Sequence, residues 1–195
     1  MTEPGGAGSA LAGLEKWYAS PLGAAVGAQE SACLHGMLGD VFGYYLVQVG
    51  VASGFEGALT ASRIRHRVLL PSGHTREGHD LRVVGDPTRL PLATDAVDAV
   101  LLPHTLEFVA DPRQVLREVE RVLIPEGRVL VLGFNALSSW GLIRLLHRRS
   151  RRVPWCGRFL TPYRVEDWLS VLGFDVEQRE YILFQPPIRL SLIHI

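Results

Sequence analysis

His104 and Glu107, three positions apart and just after the apolar run Leu101-Leu102-Pro103, are the side chains best placed to do acid-base chemistry. At that separation they could share one face of a pocket, and an imidazole with an ordinary pKa of about 6.5 can orient or deprotonate a substrate near neutral pH. A histidine that merely lines a pocket or caps the following segment is an equal reading of the same residue. A second feature is the loop Gly50-Val51-Ala52-Ser53-Gly54, which directly follows the apolar run Tyr45-Leu46-Val47-Gln48-Val49. Glycines there allow a tight strand-to-helix turn and a close approach of a ligand to the main chain. Asp86, next to Pro87, can cap a turn.

The elements that must position these groups are short apolar runs bounded by Pro, Gly or Asp. Residues 45–49, 67–70, 81–84, 97–102 and 128–133 read as five buried strands. Between the fourth and fifth, residues 112–123 place Val115, Leu116, Val119, Val122 and Leu123 on one face and Arg117, Glu118 and Arg121 on the other, a helical pattern. Alternation of strands and helices predicts right-handed crossovers and a parallel sheet covered on both faces. Ligands of such sheets bind at the carboxyl ends of strands near the point where strand order reverses, which is where the glycine loop and His104 would fall.

The N-terminus is Gly-rich, and residues 1–9 are expected to be disordered. Leu11, Leu14, Trp17 and Tyr18 then recur at helical spacing, with Ser9 as a candidate N-cap. Ser20-Pro21 should end that helix and start a second one running towards Leu38. Residues 1–43 are thus read as a disordered start and a helical cap, and residues 44–195 as the main domain. Residues 175–185 read as a sixth strand, and too little chain follows for a complete terminal hairpin, so the C-terminus is expected to be truncated.

Twenty basic side chains balance twenty acidic ones, so no broad field draws a polyanion, and nucleic acid is not the default partner. Cys33 and Cys156 form no ligand cluster, which points to no metal site and to a reducing, cytoplasmic setting. No stretch is long and apolar enough to span a membrane. The run Arg144-Leu145-Leu146-His147-Arg148-Arg149-Ser150-Arg151-Arg152 could touch an acidic substrate, RNA or a membrane surface, although a solvated helix end is the plainer reading. An NAD-dependent oxidoreductase would need GxGxxG and an acid about 20 residues on, which the spacing here does not supply.

The segment from Asp86-Pro87-Thr88-Arg89-Leu90-Pro91-Leu92 through Asp95-Ala96-Val97-Asp98-Ala99-Val100, Asp111-Pro112 and Arg121-Val122-Leu123-Ile124-Pro125-Glu126-Gly127-Arg128 to Asn135 resembles the back half of a class I S-adenosylmethionine-dependent methyltransferase of the small-molecule type. The resemblance extends over residues 44–185. It implies an α/β, Rossmann-like class I sheet with an N-terminal helical cap, S-adenosyl-L-methionine as cofactor and a small-molecule methyl acceptor. Gln48 stands where the family has an acid for the cofactor's ammonium group. It keeps a carbonyl acceptor but loses the charge-assisted part of that bond. Gly50, Ala52 and Gly54 take the places of the family's three loop glycines. Ser72, or His74, replaces the acid that grips the ribose. Asp86 matches the carboxylate that receives the adenine amino group, Leu90 an apolar contact to the ring, and Leu102 a wall beside the transferable methyl. Asp98 matches a structural position. A non-catalytic relative that keeps the fold as a binding or regulatory module is the alternative.

Overall fold

The computed structural model describes residues 5–60, 62–71, 81–147, 150 and 152–182. Helix α1 (Gly5–Tyr18) begins inside the stretch expected to be disordered, so Ser9 lies within the helix and is not its cap. Its early residues include Gly5, Gly6 and Gly8, poor helix formers, and Leu11, Leu14 and Tyr18 anchor it by burial. Ser20-Pro21 separates it from α2 (Pro21–Leu38), where the Ser20 hydroxyl accepts from Gly23 N and Pro21 occupies the first turn.

The sheet follows as β1 (Phe42–Gly50), β2 (Arg63–Pro71), β3 (Leu81–Arg82), β4 (Val97–Pro103) and β5 (Leu123–Leu132), with a short α3 (Glu56–Leu59) after β1. Strand order is β3-β2-β1-β4-β5, and all four pairings are parallel. The order therefore reverses between β1 and β4, and Gln48 lies beside Leu101 there. Helix α4 (Pro112–Val122) is capped by the Asp111 carboxylate accepting from Gln114 N. It buries Val115, Leu116, Val119 and Val122, each contributing roughly 1.5–3 kcal/mol when fully removed from water. Helices α5 (Ser139–Leu146) and α6 (Pro162–Val171) complete the set. One core gathers Leu14, Tyr18 and Leu34 from the cap, Phe55 just before α3, Phe134 after β5 and Trp140 from α5. The other gathers Val115, Leu116, Val119, Trp168 and Leu169 from α4 and α6.

Strand β5 starts at Leu123 and not at Arg128, because a register irregularity between Val97 and Ala99 lets Leu123 pair with Val97 ahead of the regular ladder. The sixth strand expected over residues 175–185 is not observed across 175–182, and residues 183–195 lie outside the described residues. That segment is mostly exposed and is held to the body by side chains, through Arg128 with Glu177 at 3.2 Å and Arg179 with Glu166. A segment fixed this way has no neighbouring ladder to draw it into a strand. Among the described residues, no helix is long and apolar enough to cross a membrane.

Asp98 joins the two central strands. Its Oδ2 accepts from Tyr44 N at 2.9 Å and Tyr45 N at 2.8 Å, and a Cβ at Gly43 would lie 2.4 Å from its Cγ. Asp98→Ala should lower stability by about 1–2 kcal/mol with an unchanged slope in urea unfolding, the loss of two amide bonds to a charged acceptor.

Candidate functional site

The ends of β1 and β4 bring Gln48, Gly50, Leu102, His104 and Glu107 into one neighbourhood, with Val51 and Ala52 in the loop beside them. Thr105 locks the two strand ends: its hydroxyl donates to Val49 O, and a Cβ on Gly50 would sit 2.5 Å from its Oγ1. Gly50 also has φ +108, so glycine is required here by backbone conformation and by Thr105, before any ligand is considered. Gly54, at φ +93, lies under the Tyr18 ring.

His104 is fully buried and sits at φ +53, a conformation rare for residues with a Cβ. Its Nε2 lies 2.9 Å from Glu30 Oε1, on α2, and its Nδ1 lies 3.3 Å from Glu107 Oε1. The other oxygen of Glu30 accepts from Tyr18 Oη at 2.7 Å, and Glu107 Oε1 also accepts from Phe134 N at 2.7 Å. Burial by itself would lower the imidazole pKa. The charge of Glu30 and the hydrogen bonds to Glu107 and Glu30 outweigh it and raise the pKa to about 10. With a carboxylate on each ring nitrogen, His104 is an imidazolium at neutral pH. With both ring nitrogens engaged it has no free lone pair for the base role that the sequence left open to it. Burial and then the charge of Glu30 likewise push Tyr18 well above its usual range, so it stays a neutral donor.

Two buried acceptors in this neighbourhood remain without a partner, Gln48 Oε1 and Glu107 Oε2. Gln48 spends its Nε2 on Val51 O, which turns the carbonyl oxygen into the available group. An unpaired buried acceptor at the end of β1 fits the ammonium of an amino-acid-like cofactor, and the glycine turn fits its main-chain approach. Helix α1 reaches the same loop, where Glu15 Oε1 accepts from Ala52 N at 3.1 Å.

Asp86 and Leu90 stand on the β3 side of the sheet. Asp86 Oδ1 accepts from Thr88 N at 2.8 Å and from Thr88 Oγ1 at 2.7 Å, so the turn-capping reading describes that oxygen. Leu90 is buried in the second core, its N–H bonded to Glu118 and its carbonyl to Arg121. Leu102 is wholly buried between strands. Ser72 lies outside the described residues. Sequence reasoning missed Glu30 and Tyr18. The available signal was an acid placed among Val26, Leu34 and Leu38 on the buried stripe of α2.

Residues 69–131 match a family described as a methyltransferase domain. The uncharacterized protein YafS of Escherichia coli (strain K12) is 37% identical over 136 residues, which is 70% of this chain and 55% of YafS. A demethylmenaquinone methyltransferase of Mycobacterium marinum is 43% identical over 71 residues, 36% of this chain and 30% of that protein. The chain thus spans little more than half, or less, of these curated relatives. The fold matches a solved S-adenosylmethionine-dependent methyltransferase of Thermotoga maritima, described as a possible histamine N-methyltransferase, with TM-score 0.60 and 24% identity. That match covers 81% of this chain and 77% of the other.

Because His104 is charged when folded and titrates near 6.5 when unfolded, the stability from its charge is whole below pH 6.5 and is lost as pH rises towards about 10. Thermal unfolding midpoints should fall steadily across that window. Glu30→Gln should cost about 3–5 kcal/mol by unpairing a buried charge, and should flatten the decline. Ring ¹⁵N spectra, with His104→Asn to assign the signal, should show both nitrogens protonated at pH 8 in the parent chain.

Proposed function

From a chain that belongs to the class I methyltransferases, with the methyltransferase domain over residues 69–131, we propose transfer of a methyl group from S-adenosylmethionine to a small-molecule acceptor. The observation that carries this reading is the pair of unpartnered buried acceptors, Gln48 Oε1 and Glu107 Oε2, at the strand-order reversal. Gln48 would take the ammonium of the cofactor, and the Gly50 to Gly54 turn would take its methionine end. Asp86 would hold the adenine. When bound, the cofactor supplies an electrophilic methyl on a sulfonium. Glu107 Oε2 accepts a hydrogen bond from the acceptor's O–H or N–H and can take its proton, which aligns the lone pair for attack. His104, clamped between Glu30 and Glu107, fixes that carboxylate and shields its charge. Demethylmenaquinone methyltransferase, named for a small-molecule acceptor, lends support to the substrate class.

A second reading is a non-catalytic binding module. It is favoured by Glu15, whose carboxylate already occupies an amide of the glycine loop, and by the neutral Gln48. Calorimetry with S-adenosylhomocysteine separates the two. Under the enzymatic reading the protein binds saturably, Gln48→Ala and Asp86→Ala each weaken binding at least about tenfold, and Glu107→Gln leaves binding intact. With radiolabelled cofactor and a small-molecule extract, Glu107→Gln should then lower labelling about 100-fold or more. A well-folded protein without affinity for the cofactor would favour the module.

A further inference from the structure

Glu15 lies on the part of α1 that packs against the turn after β1. Leu11, Leu14 and Tyr18 of that helix are buried, and Glu15, half-buried among them, reaches across to the turn, where its Oε1 accepts from Ala52 N at 3.1 Å. Three residues further along the helix, Tyr18 packs on the same turn. A Cβ at Gly54 would lie 3.7 Å from its ring, and the Phe55 ring meets it edge-on at 5.6 Å. Residues three apart share a helix face, so one face of α1 delivers both contacts.

Main-chain N–H groups in a turn are ready contacts for an anion, and the Ala52 amide already holds one. An α-amino acid carries an ammonium and a carboxylate on a single carbon, so a site for it needs an acceptor and a donor close together. The acceptor is Gln48 Oε1, buried and without a partner. Gln48 is tied to the turn by its Nε2, which donates to Val51 O, one residue ahead of Ala52. The donor is Ala52 N, and it is engaged by the chain's own carboxylate. A glutamate side chain ends in the same chemical group as the α-carboxylate of a ligand, so the two compete for one N–H. Because Glu15 is only half-buried, rotation of its side chain releases the amide while Leu11, Leu14 and Tyr18 keep α1 in the core.

We propose that Glu15 is an internal competitor for the anionic end of the cofactor. Its carboxylate holds the Ala52 amide in the ligand-free chain and leaves when the ligand's α-carboxylate takes that amide. The proposal rests on the methyl-transfer reading. Each binding event then exchanges one carboxylate–amide bond for another, so that bond adds little net affinity in the parent chain, whereas a chain without the Glu15 carboxylate gains it in full. The contact lowers affinity for the amino-acid end of the ligand and leaves the adenosine end untouched.

Calorimetry on the parent chain, Glu15→Ala and Glu15→Gln tests this with two probes, S-adenosylhomocysteine and methylthioadenosine, which keeps the adenosine and lacks the amino-acid end. Glu15→Ala should bind S-adenosylhomocysteine about tenfold more tightly than the parent, and Glu15→Gln should gain less, because its amide oxygen still accepts a weaker bond. Methylthioadenosine should bind all three chains alike. Without ligand, the Ala52 amide signal should move to higher field in Glu15→Ala and exchange its hydrogen at least about tenfold faster. Glu15→Gln keeps the size of the side chain and supplies the comparison if Glu15→Ala folds poorly. Saturable S-adenosylhomocysteine binding that is unchanged or weakened in both variants would overturn the proposal and leave the methyl-transfer reading standing. An equal gain for methylthioadenosine, or an Ala52 amide indifferent to Glu15, would overturn it as well. Absence of S-adenosylhomocysteine binding in all three chains would overturn the methyl-transfer reading and this proposal with it.

Discussion

The interaction on which the site depends is the imidazolium of His104 held between two carboxylates, Glu30 from the cap and Glu107 from the turn after β4. A buried cation with a carboxylate on either side is tolerable only when the geometry is tight and the remaining oxygens are bonded. Tyr18 and the Phe134 amide meet two of those needs. The N-terminal helices are therefore more than a cover. They deliver one of the two carboxylates that flank the His104 ring, just past the end of β4. The cluster leaves one oxygen, Glu107 Oε2, buried and without a hydrogen-bond partner.

This arrangement changes the meaning of the glycine loop. Gly50 is explained by Thr105 and by its own φ, and Ala52 presents its amide to Glu15, so the loop is shaped first by the protein's own cap.

Strands β1 to β4 and helix α4 were readable because their signals are local: apolar runs ended by Gly or Pro, and the Asp111-Pro112 cap before an amphipathic repeat. The early start of β5 was not readable, since it follows from a register irregularity against Val97 in another strand. The N-terminal turn of α1 was misread as disorder because its glycines carry a poor helical signal that burial of Leu11 and Leu14 overrides. Residues 175–182 have the composition of a strand, but their contacts are side-chain ion pairs and they make no ladder. For the site, His104 and Glu107 were visible as a pair, while their partners Tyr18 and Glu30 stand 74 or more residues from His104, as the His104–Glu30 separation shows. Only tertiary packing brings that acid to the ring, and a ring with two acid neighbours becomes a cation where sequence spacing alone left it open as a base.

The most direct test of this account is an ¹⁵N-resolved titration with S-adenosylhomocysteine that follows the Gln48 side-chain amide, the Gly50 and Gly54 backbone amides and the His104 ring together. The account predicts saturable shifts at Gln48 and both glycines, with His104 protonated on both nitrogens at pH 7 before and after binding. A neutral His104 ring at that pH, or saturation that leaves Gln48 and the loop unmoved, would contradict it.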